Sequence, residues 1–374
     1  MNSTMKLGVL CLVMCGSIAC RNQATSEVLT ELTADSQQPE PQPFIFSIER
    51  KDRTSVDIIT GEGEFKYSVD WDNDGTYDEI SVQGPVSHDY KEPGTYTIRI
   101  RGQFPHMLAR GDKGVNLCGM KVLQWGDIQW KSMKGMFAGC FISPTFPDTD
   151  APDLSHVIDM SGMFAYALLF NQPLDHWDVS HVTDMGGMFG GAKTFNQPLN
   201  SWNTKNVTGM SGMFNHADAF NQPLDAWDTS NVTDMNAMFL GAKAFNQPLN
   251  SWNTSDVMDM RWMFSKTKAF NQPLSSWDTS NVTTMAGMFA RAKVFNQPLD
   301  SWDVSSVEKM SEMLNKSSMD TQNYDATLQG WAKQLPMEPR KLSAEGLTYC
   351  KSTDVRQELI DAGWKIMGDT KKCD

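Results

Sequence analysis

Four aspartates in the first third of this sequence are spaced so that they could bind a metal ion. Asp70, Asp72, Asp74 and Asp78 alternate with other residues around Gly75. Alternating carboxylates next to a glycine turn can surround a hard cation such as Ca²⁺, and Asp70, Asp72 and Asp74 are the candidate ligands. No glutamate closes a twelve-residue loop that starts at Asp70, as an EF-hand requires. Because Asp and Asn before glycine also suit a tight hairpin without a metal, both interpretations stand.

The sequence lacks the motifs of common catalytic sites. It contains no G-x-S-x-G, H-E-x-x-H, phosphate-binding or dinucleotide-binding motif. Its six histidines are scattered and differ between the repeated segments described below. A catalytic group is normally unique within a shaped pocket, whereas most polar side chains here recur at fixed intervals. The sequence therefore predicts a protein that is not an enzyme and needs no cofactor.

A 25-residue repeat dominates the second half of the chain. The string FNQPL begins at Phe170, Phe195, Phe220, Phe245, Phe270 and Phe295. Tryptophans and methionines recur at the same interval, from Trp177 to Trp302 and from Met160 to Met310. A fixed period of this length is typical of a stacked array, whose units bury their apolar sides only against their neighbours.

The pattern inside one repeat predicts a strand followed by a helical turn. Leu274, Trp277 and Thr279 have the spacing of a short strand that faces inward. Residues 282–295 carry apolar side chains at threes and fours, which favours a helical turn that Asn-Gln-Pro ends. We predict that the repeated Met and Trp side chains are core residues, not copper, haem or sugar ligands. The Asn of each FNQ string is expected to form a hydrogen-bonded ladder.

The residue after each tryptophan is the candidate for ligand binding. If tryptophan points inward on a strand, its successor points outward, so that six side chains form a file on one face. The file consists of Asp178, Asn203, Asp228, Asn253, Asp278 and Asp303. Layers about 4.8 Å apart would make it a polar, acidic groove about 25 Å long for an extended partner, a glycan or cations. The alternative is a solvated face that keeps the array soluble.

The first residues have the pattern of an export signal. Lys6 precedes an apolar run that ends at Cys20 and is too short to span a bilayer as a stable anchor. The ending SIAC resembles a bacterial lipobox, whose cysteine is lipidated after cleavage, although Ser17 stands where leucine is usual. An ordinary cleaved signal peptide is the alternative. Residues 21–43 are polar and contain prolines, so we predict a flexible tether.

The remaining cysteines and the net charge narrow the protein class. An even number of cysteines in an exported chain permits disulfides, and proximity suggests Cys118–Cys140 and Cys350–Cys373, although three pairings are open. The formal net charge of −13 argues against a nucleic-acid surface, which needs clustered Lys and Arg.

Two families resemble parts of this sequence. The segments VDWDNDGTYDE (69–79) and HDYKEPGTYTIRI (88–100) together resemble the polycystic-kidney-disease-type β-sandwich of bacterial surface proteins. Residues 125–374 resemble the BspA-like family of bacterial-surface leucine-rich-repeat proteins, in the branch with the pattern FNQPLxxWDxSNVTxMxxMF. The C-terminal segments QNYDATLQGWA and LTYCKSTDVRQELIDAGW look like the cap of that branch. This resemblance implies a non-catalytic binding or adhesion protein.

Together these observations predict a leucine-rich-repeat-like solenoid, with a short parallel β-strand and a helical turn in each repeat, preceded by a small all-β sandwich. The expected order is a lipoprotein signal peptide, a tether, the sandwich, a linker or N-terminal cap, the solenoid and a C-terminal cap. Their expected ranges are 1–20, 21–43, 44–103, 104–124, 125–316 and 317–374.

For function, we expect an exported, monomeric lipoprotein at the outer membrane or cell surface, held to the membrane through its lipid anchor only. It is expected to bind an extracellular protein or glycan, and no nucleic acid, through the exposed strand face. A structural spacer or envelope protein without a specific ligand is the alternative.

Overall fold

A computed structural model describes residues 40–51, 55–111, 114–115, 117–335 and 337–373. The chain divides into two units, Met1–Pro41 and Gln42–Asp374, of which the second contains nearly all of the described structure. The expected signal peptide and its lipidation site Cys20 lie outside the described residues.

Antiparallel β-structure occupies the first part of the larger unit. Its strands are β1 (Phe44–Arg50), β2 (Ser55–Thr60), β3 (Lys66–Asp70), β4 (Glu79–Val82), β5 (Val86–Asp89), β6 (Gly94–Gln103), β7 (Met107–Leu108), β8 (Arg110–Gly111), β9 (Gly114–Val115) and β10 (Lys121–Gln124).

These strands form two sheets and a short hairpin. The larger sheet has the order β10-β1-β6-β3-β4, the smaller one has the order β5-β2-β7, and β8 pairs with β9. Alternate side chains of β1, namely Phe44, Phe46 and Ile48, are buried, as a half-buried strand requires. Residues 104–124, expected to be a linker or cap, instead contribute strands, because Val122 of β10 pairs with Phe46.

The repeats do not have the expected secondary structure. Residues 125–316, all of which the structure describes, contain no helix and only single-residue parallel bridges, such as Asp184 with Gly209. Among the described residues, regular structure consists of small sheets, mostly antiparallel, and two short helices. The leucine-rich-repeat-like solenoid, with a strand and a helical turn in each repeat, is therefore a wrong prediction.

Backbone hydrogen bonds between successive copies explain this difference. Every second N–H of the segment that begins at Met185 donates to a carbonyl oxygen of the next copy, at 2.6–3.0 Å. The donors are Met185, Gly187, Phe189 and Gly191, and the acceptors are Gly209, Ser211, Met213 and Asn215. The N–H groups between them close turns inside the copy, as Met188 does to Met185. Apolar residues spaced three and four positions apart therefore correspond to a series of turns here, not to a helix.

Left-handed residues make this alternation geometrically feasible. Gly187 and Gly191 have φ values of 61° and 73°, and the equivalent residues of the other copies also have positive φ. A right-handed helix cannot contain such residues, so the segment cannot continue as a helix. Glycine is favoured at these positions because it carries no Cβ.

The apolar side chains stack in files through the copies. The rings of Phe189 and Phe214 lie 5.6 Å apart and nearly parallel, and those of Trp202 and Trp227 lie 6.5 Å apart. Each of these tryptophans is buried, and the indole N–H of Trp227 donates to the Leu199 carbonyl one copy earlier at 2.9 Å. The predictions that the repeated Trp and Met residues are core residues are confirmed by their burial.

The Asn of each FNQ string forms the predicted ladder. The side-chain oxygen of Asn221 accepts the backbone N–H of Asn246 at 2.9 Å and the side-chain N–H of Gln247 at 3.2 Å. The same contacts recur from Asn196 to Asn271. Each copy therefore supplies acceptors for the donors of the next copy.

A mixed α/β segment closes the C-terminal end of the stack. It contains α1 (Thr321–Ala332), β11 (Lys341–Ser343), β12 (Thr348–Tyr349), α2 (Thr353–Asp361), β13 (Lys365–Met367) and β14 (Thr370–Lys371). On α1, Trp331 donates to the Leu299 carbonyl at 3.0 Å and Asn323 donates to the Asn296 carbonyl at 2.9 Å. The helix therefore continues both the tryptophan and the asparagine ladders.

His106 joins the β-structure to the first copy. Its Nδ1 accepts the backbone N–H of Glu62 at 3.0 Å, and its Nε2 donates to the Lys134 carbonyl at 2.7 Å. A Cβ on Gly61 would lie 2.2 Å from Nδ1, so the close approach of this strand requires glycine. Burial lowers the pKa of His106 below its ordinary value of 6.5, although the Lys134 carbonyl opposes the shift.

Replacing Asn221 tests the asparagine ladder. Asn221→Ala should reduce the free energy of unfolding by about 1–3 kcal/mol, because it leaves the donors of Asn246 and Gln247 without their acceptor. Asn221→Asp keeps both acceptor functions and should lose clearly less. Chemical denaturation measures both values, and equal losses would show that the two hydrogen bonds contribute nothing specific.

The buried neutral histidine should make stability depend on pH. The pKa of His106 is lower in the folded state, so the unfolded chain binds the proton at higher pH, and stability should fall as the pH decreases below about 6.5. His106→Gln should remove this part of the pH dependence of the melting temperature, whereas His181→Gln, at an exposed position, should leave it unchanged. The same pH profile in both variants would contradict this assignment.

Candidate functional site

The six residues that follow the tryptophans lie in turns, not on a strand. The side-chain oxygen of each accepts the backbone N–H two residues further on, at 2.8–3.2 Å. This arrangement is an Asx turn, in which Asp and Asn side chains replace a backbone acceptor. The residues are Asp178, Asn203, Asp228, Asn253, Asp278 and Asp303.

Serine hydroxyls stabilise the ionised carboxylates in this row. Ser230 Oγ donates to Asp228 at 2.6 Å, and Ser280 Oγ donates to Asp278 at 2.7 Å. Hydrogen bonds from the serine side chain and backbone hold the pKa of both aspartates below the usual range. One carboxylate oxygen of each aspartate therefore already accepts hydrogen bonds within its own turn.

The turn geometry also explains why either Asp or Asn can occupy this row. Asn203 accepts the same hydrogen bond as Asp228, at 3.2 Å and 3.0 Å, so a neutral acceptor is sufficient. The expected strand that would display these residues does not form in 125–316, because the inter-copy hydrogen bonds lie elsewhere in the repeat. Their role as ligands stays a prediction.

A second row varies in residue type, and its residues other than glycine are exposed. We define the variable row as the residues six positions after the first methionine of each M-x-x-M-F segment and of the equivalent M-x-x-M-L segment that begins at Met310. It consists of Gly139, Tyr166, Gly191, His216, Gly241, Lys266, Arg291 and Lys316, all with positive φ. Their N–H groups donate to the following layer, which fixes their order along the stack.

Aromatic residues and glycine alternate in the first half of the variable row. The ring of Tyr166 lies over Gly191, where a Cβ would come within 2.7 Å of it, and His216 covers Gly241 in the same way, at 2.5 Å. Tyr166 is 68% exposed and borders an open pocket with Phe141, which is 50% exposed. This end of the row is therefore aromatic and open to solvent.

Cations occupy the second half of the variable row. Lys266, Arg291 and Lys316 follow one another in adjacent layers without an intervening glycine, and Lys268 and Lys293 lie two residues further along the chain. All five are exposed, and Lys316 forms an ion pair with Glu345 at 3.2 Å. We call these five residues the basic patch. The sequence analysis did not identify this patch. The signal was present, because Lys266, Arg291 and Lys316 lie one repeat of 25 residues apart.

Sequence reasoning also missed the row of parallel bridges. Asp159, Asp184, Asp234 and Asp259 belong to this row, and each accepts the backbone N–H two residues further on, at 2.8–2.9 Å. Burial, with the charges of Asp259 and Asp184, raises the pKa of Asp234. Arg261 pairs with Asp259, which offsets part of this repulsion. The Asp that precedes the repeated Met in four of the copies was the available sequence signal.

The metal candidates lie in the loop between β3 and β4. One carboxylate oxygen from each of Asp70, Asp72 and Asp78 lies within 4.8 Å of the others. Asp74 is not in this group, and its Oδ1 accepts the backbone N–H of Thr76 at 2.6 Å. The structure therefore brings together two of the three predicted ligands and adds Asp78.

The cysteines form two bonded pairs in the described part of the chain. Cys118 is joined to Cys140 and Cys350 to Cys373, the two pairs that proximity suggested. They fasten the chain on both sides of the stack of repeats. The predicted lipidation residue Cys20 lies outside the described residues.

Comparison with known proteins identifies a family for the repeats. The sequence model of the family described as "Mycoplasma protein of unknown function, DUF285" matches residues 131–248 and 222–328, which together exceed half of the chain. Comparison with curated proteins and with solved structures finds no match. Within the described residues, neither α1 nor α2 is long and apolar enough to cross a membrane.

Substitutions at Asp228 separate its turn role from its charge. Asp228→Asn keeps the acceptor that Asn203 and Asn253 supply in other copies, so stability should change by less than about 0.5 kcal/mol. Asp228→Ala removes the acceptor and should cost about 1 kcal/mol, as the loss of a capping side chain does. Thermal unfolding measures both, and a large loss with Asp228→Asn would show that the negative charge is required.

Proposed function

We propose that this chain, which belongs to the DUF285 family, is a non-catalytic exported protein that binds an anionic extracellular glycan through the basic patch. The proposal also includes a lipid anchor at Cys20 and a position at the cell surface, which the sequence of residues 1–20 supports. The BspA-like resemblance of residues 125–374 and the polycystic-kidney-disease-type resemblance of residues 69–100 support the same class of surface protein.

The observation that carries the proposal is the position of the basic patch on an acidic chain. Five exposed cations come from three consecutive copies, while the whole chain has a formal net charge of −13. A local concentration of one charge sign raises the local concentration of ligands of the opposite sign. The patch therefore favours a negatively charged partner, which the rest of the surface would repel.

The adjacent cations have no evident structural purpose. Lys266 and Arg291 occupy neighbouring layers, whose phenylalanines Phe264 and Phe289 have ring centroids 5.7 Å apart. Like charges at neighbouring positions destabilise a stacked structure, so a bound anion would relieve their repulsion. Their regular spacing suits an extended polymer that carries charges at intervals, which is the reason for choosing a glycan over a compact anion.

A structural spacer is the second candidate function. The near-uniform Trp, Phe and Asn rows show that much of each copy serves stacking alone, as a spacer would need. The variable row is the observation against it, since a spacer gains nothing from changing an exposed residue from Tyr166 to Lys266 along the stack.

Binding to charged and neutral polysaccharides tests the proposed function. The purified protein should bind a sulfated polysaccharide saturably, and a neutral glucan of matched length should not bind. Raising the salt concentration should weaken the interaction, because exposed charges are screened. Isothermal titration calorimetry measures the affinities.

Two double variants with the same charge change localise the binding. Lys266→Ser with Arg291→Ser should weaken binding about tenfold or more, a loss of about 1.4 kcal/mol. Lys205→Ser with Lys309→Ser removes two exposed cations outside the patch and should have little effect. Equal losses would indicate non-specific attraction, and no binding by the unmodified protein would favour the spacer.

A further inference from the structure

We propose that the loop between β3 and β4 binds a calcium ion through Asp70, Asp72 and Asp78. The pairing of Val69 with Glu79 closes this loop and brings its two ends together. Asp70 is the last residue of β3, and Asp78 immediately precedes β4. The hairpin therefore holds one carboxylate from each end beside that of Asp72, with one oxygen from each within 4.8 Å of the others.

An unsatisfied buried oxygen distinguishes this group from an ordinary acidic turn. Asp70 is 0% exposed, and its Oδ1 has no hydrogen-bond partner among the described residues. Its other oxygen, Oδ2, accepts the backbone N–H of Gly75 at 2.9 Å. A buried carboxylate oxygen without a partner is costly and uncommon, so it calls for a ligand that can balance it.

The nearby arginine does not satisfy this oxygen. Arg99 Nε lies 3.9 Å from Asp70 Oδ2 and donates its hydrogen bond to Asn73 Oδ1 at 3.0 Å. Arg99 therefore faces the oxygen that Gly75 already occupies. A cation beside Oδ1 would supply the partner that this oxygen lacks.

The geometry and chemistry of the group suit calcium. Two Ca²⁺–oxygen bonds of about 2.4 Å span about 4.8 Å, so one ion can reach all three carboxylates without a large movement. Asp72 and Asp78 are exposed, which leaves room for the water ligands that complete a coordination of six to eight oxygens. Magnesium requires a nearly ideal octahedron, which three carboxylates from a hairpin loop do not preform.

Trp71 provides an internal reporter for this site. It lies between two of the ligands, is buried, and donates its backbone N–H to Asp78 Oδ2 at 2.9 Å. Terbium(III) is a hard cation like calcium, and its luminescence increases when a neighbouring tryptophan transfers energy to it. Terbium bound beside Trp71 should therefore luminesce on tryptophan excitation.

The experiment is a terbium titration of the whole protein, followed by competition with calcium. The unmodified protein should give saturable luminescence that calcium displaces with a dissociation constant on the order of 10⁻⁴–10⁻³ M, as in extracellular calcium modules. Asp72→Asn should raise that constant about tenfold or more. Asp74→Asn has the same charge change in the same loop and keeps its turn with Thr76, so it should stay within about twofold.

A second variant and a folding control keep the test decisive. In Asp72→Asn and Asp78→Asn, the side-chain oxygen can still accept the N–H of Asp74 or Trp71, so both variants should unfold at the same temperature as the parent in chelator. At the same calcium concentration, the melting temperature of the parent and of Asp74→Asn should rise clearly more than that of the other two. Absence of calcium-displaceable luminescence in the parent, or equal weakening by Asp72→Asn and Asp74→Asn, would overturn the proposal. The basic patch is unchanged throughout, so the outcome is independent of glycan binding.

Discussion

The structure depends on backbone hydrogen bonds that run between copies of the repeat. In the M-x-x-M-F segments, every second N–H is satisfied by the next copy, and the N–H groups between them close turns within their own copy. Because a buried backbone donor without a partner is costly, no copy is complete by itself. The last copy therefore needs acceptors beyond the repeats, and its Leu314 and Lys316 donate to the Ser343 and Glu345 carbonyls of the C-terminal segment. In the same segment, Trp331 and Asn323 of α1 continue the side-chain ladders. The two disulfides lie at the two ends of the stack.

The same hydrogen bonds decide which side chains can act as a recognition surface. They place the variable row in the left-handed conformation, where glycine is the least strained residue. Residues with a Cβ cost roughly 1–2 kcal/mol at such positions, yet Lys266 and Arg291 occupy them in adjacent layers. Strained residues that persist without a structural benefit tend to lie at functional sites. The turns after the tryptophans carry no such strain, and their Asp or Asn side chains have a sufficient structural role.

The two candidate sites have opposite charge and lie in different parts of the chain. The β3–β4 loop gathers carboxylates around the buried Asp70, whereas the C-terminal copies gather cations on the surface of the stack. The first group is formed by a local hairpin and attracts a small cation. The second group is formed because one position of the repeat carries a cation in three successive layers.

The sequence alone determined the period, the composition of the core and the asparagine ladder, because a copy buries its apolar residues at the same positions whatever its backbone conformation. It also suggested both disulfide pairs from proximity, and three of the four aspartates of the β3–β4 loop as a metal candidate. It could not distinguish a helix from a series of turns, because apolar spacing at threes and fours fits both, and the repeated glycines with positive φ were the missed signal. Only the tertiary structure decided which hydrogen bonds run between layers, and therefore which rows face solvent. The tertiary structure also replaced Asp74 with Asp78 in the group of candidate metal ligands. Strand pairing, not sequence spacing, brings the two ends of a hairpin together.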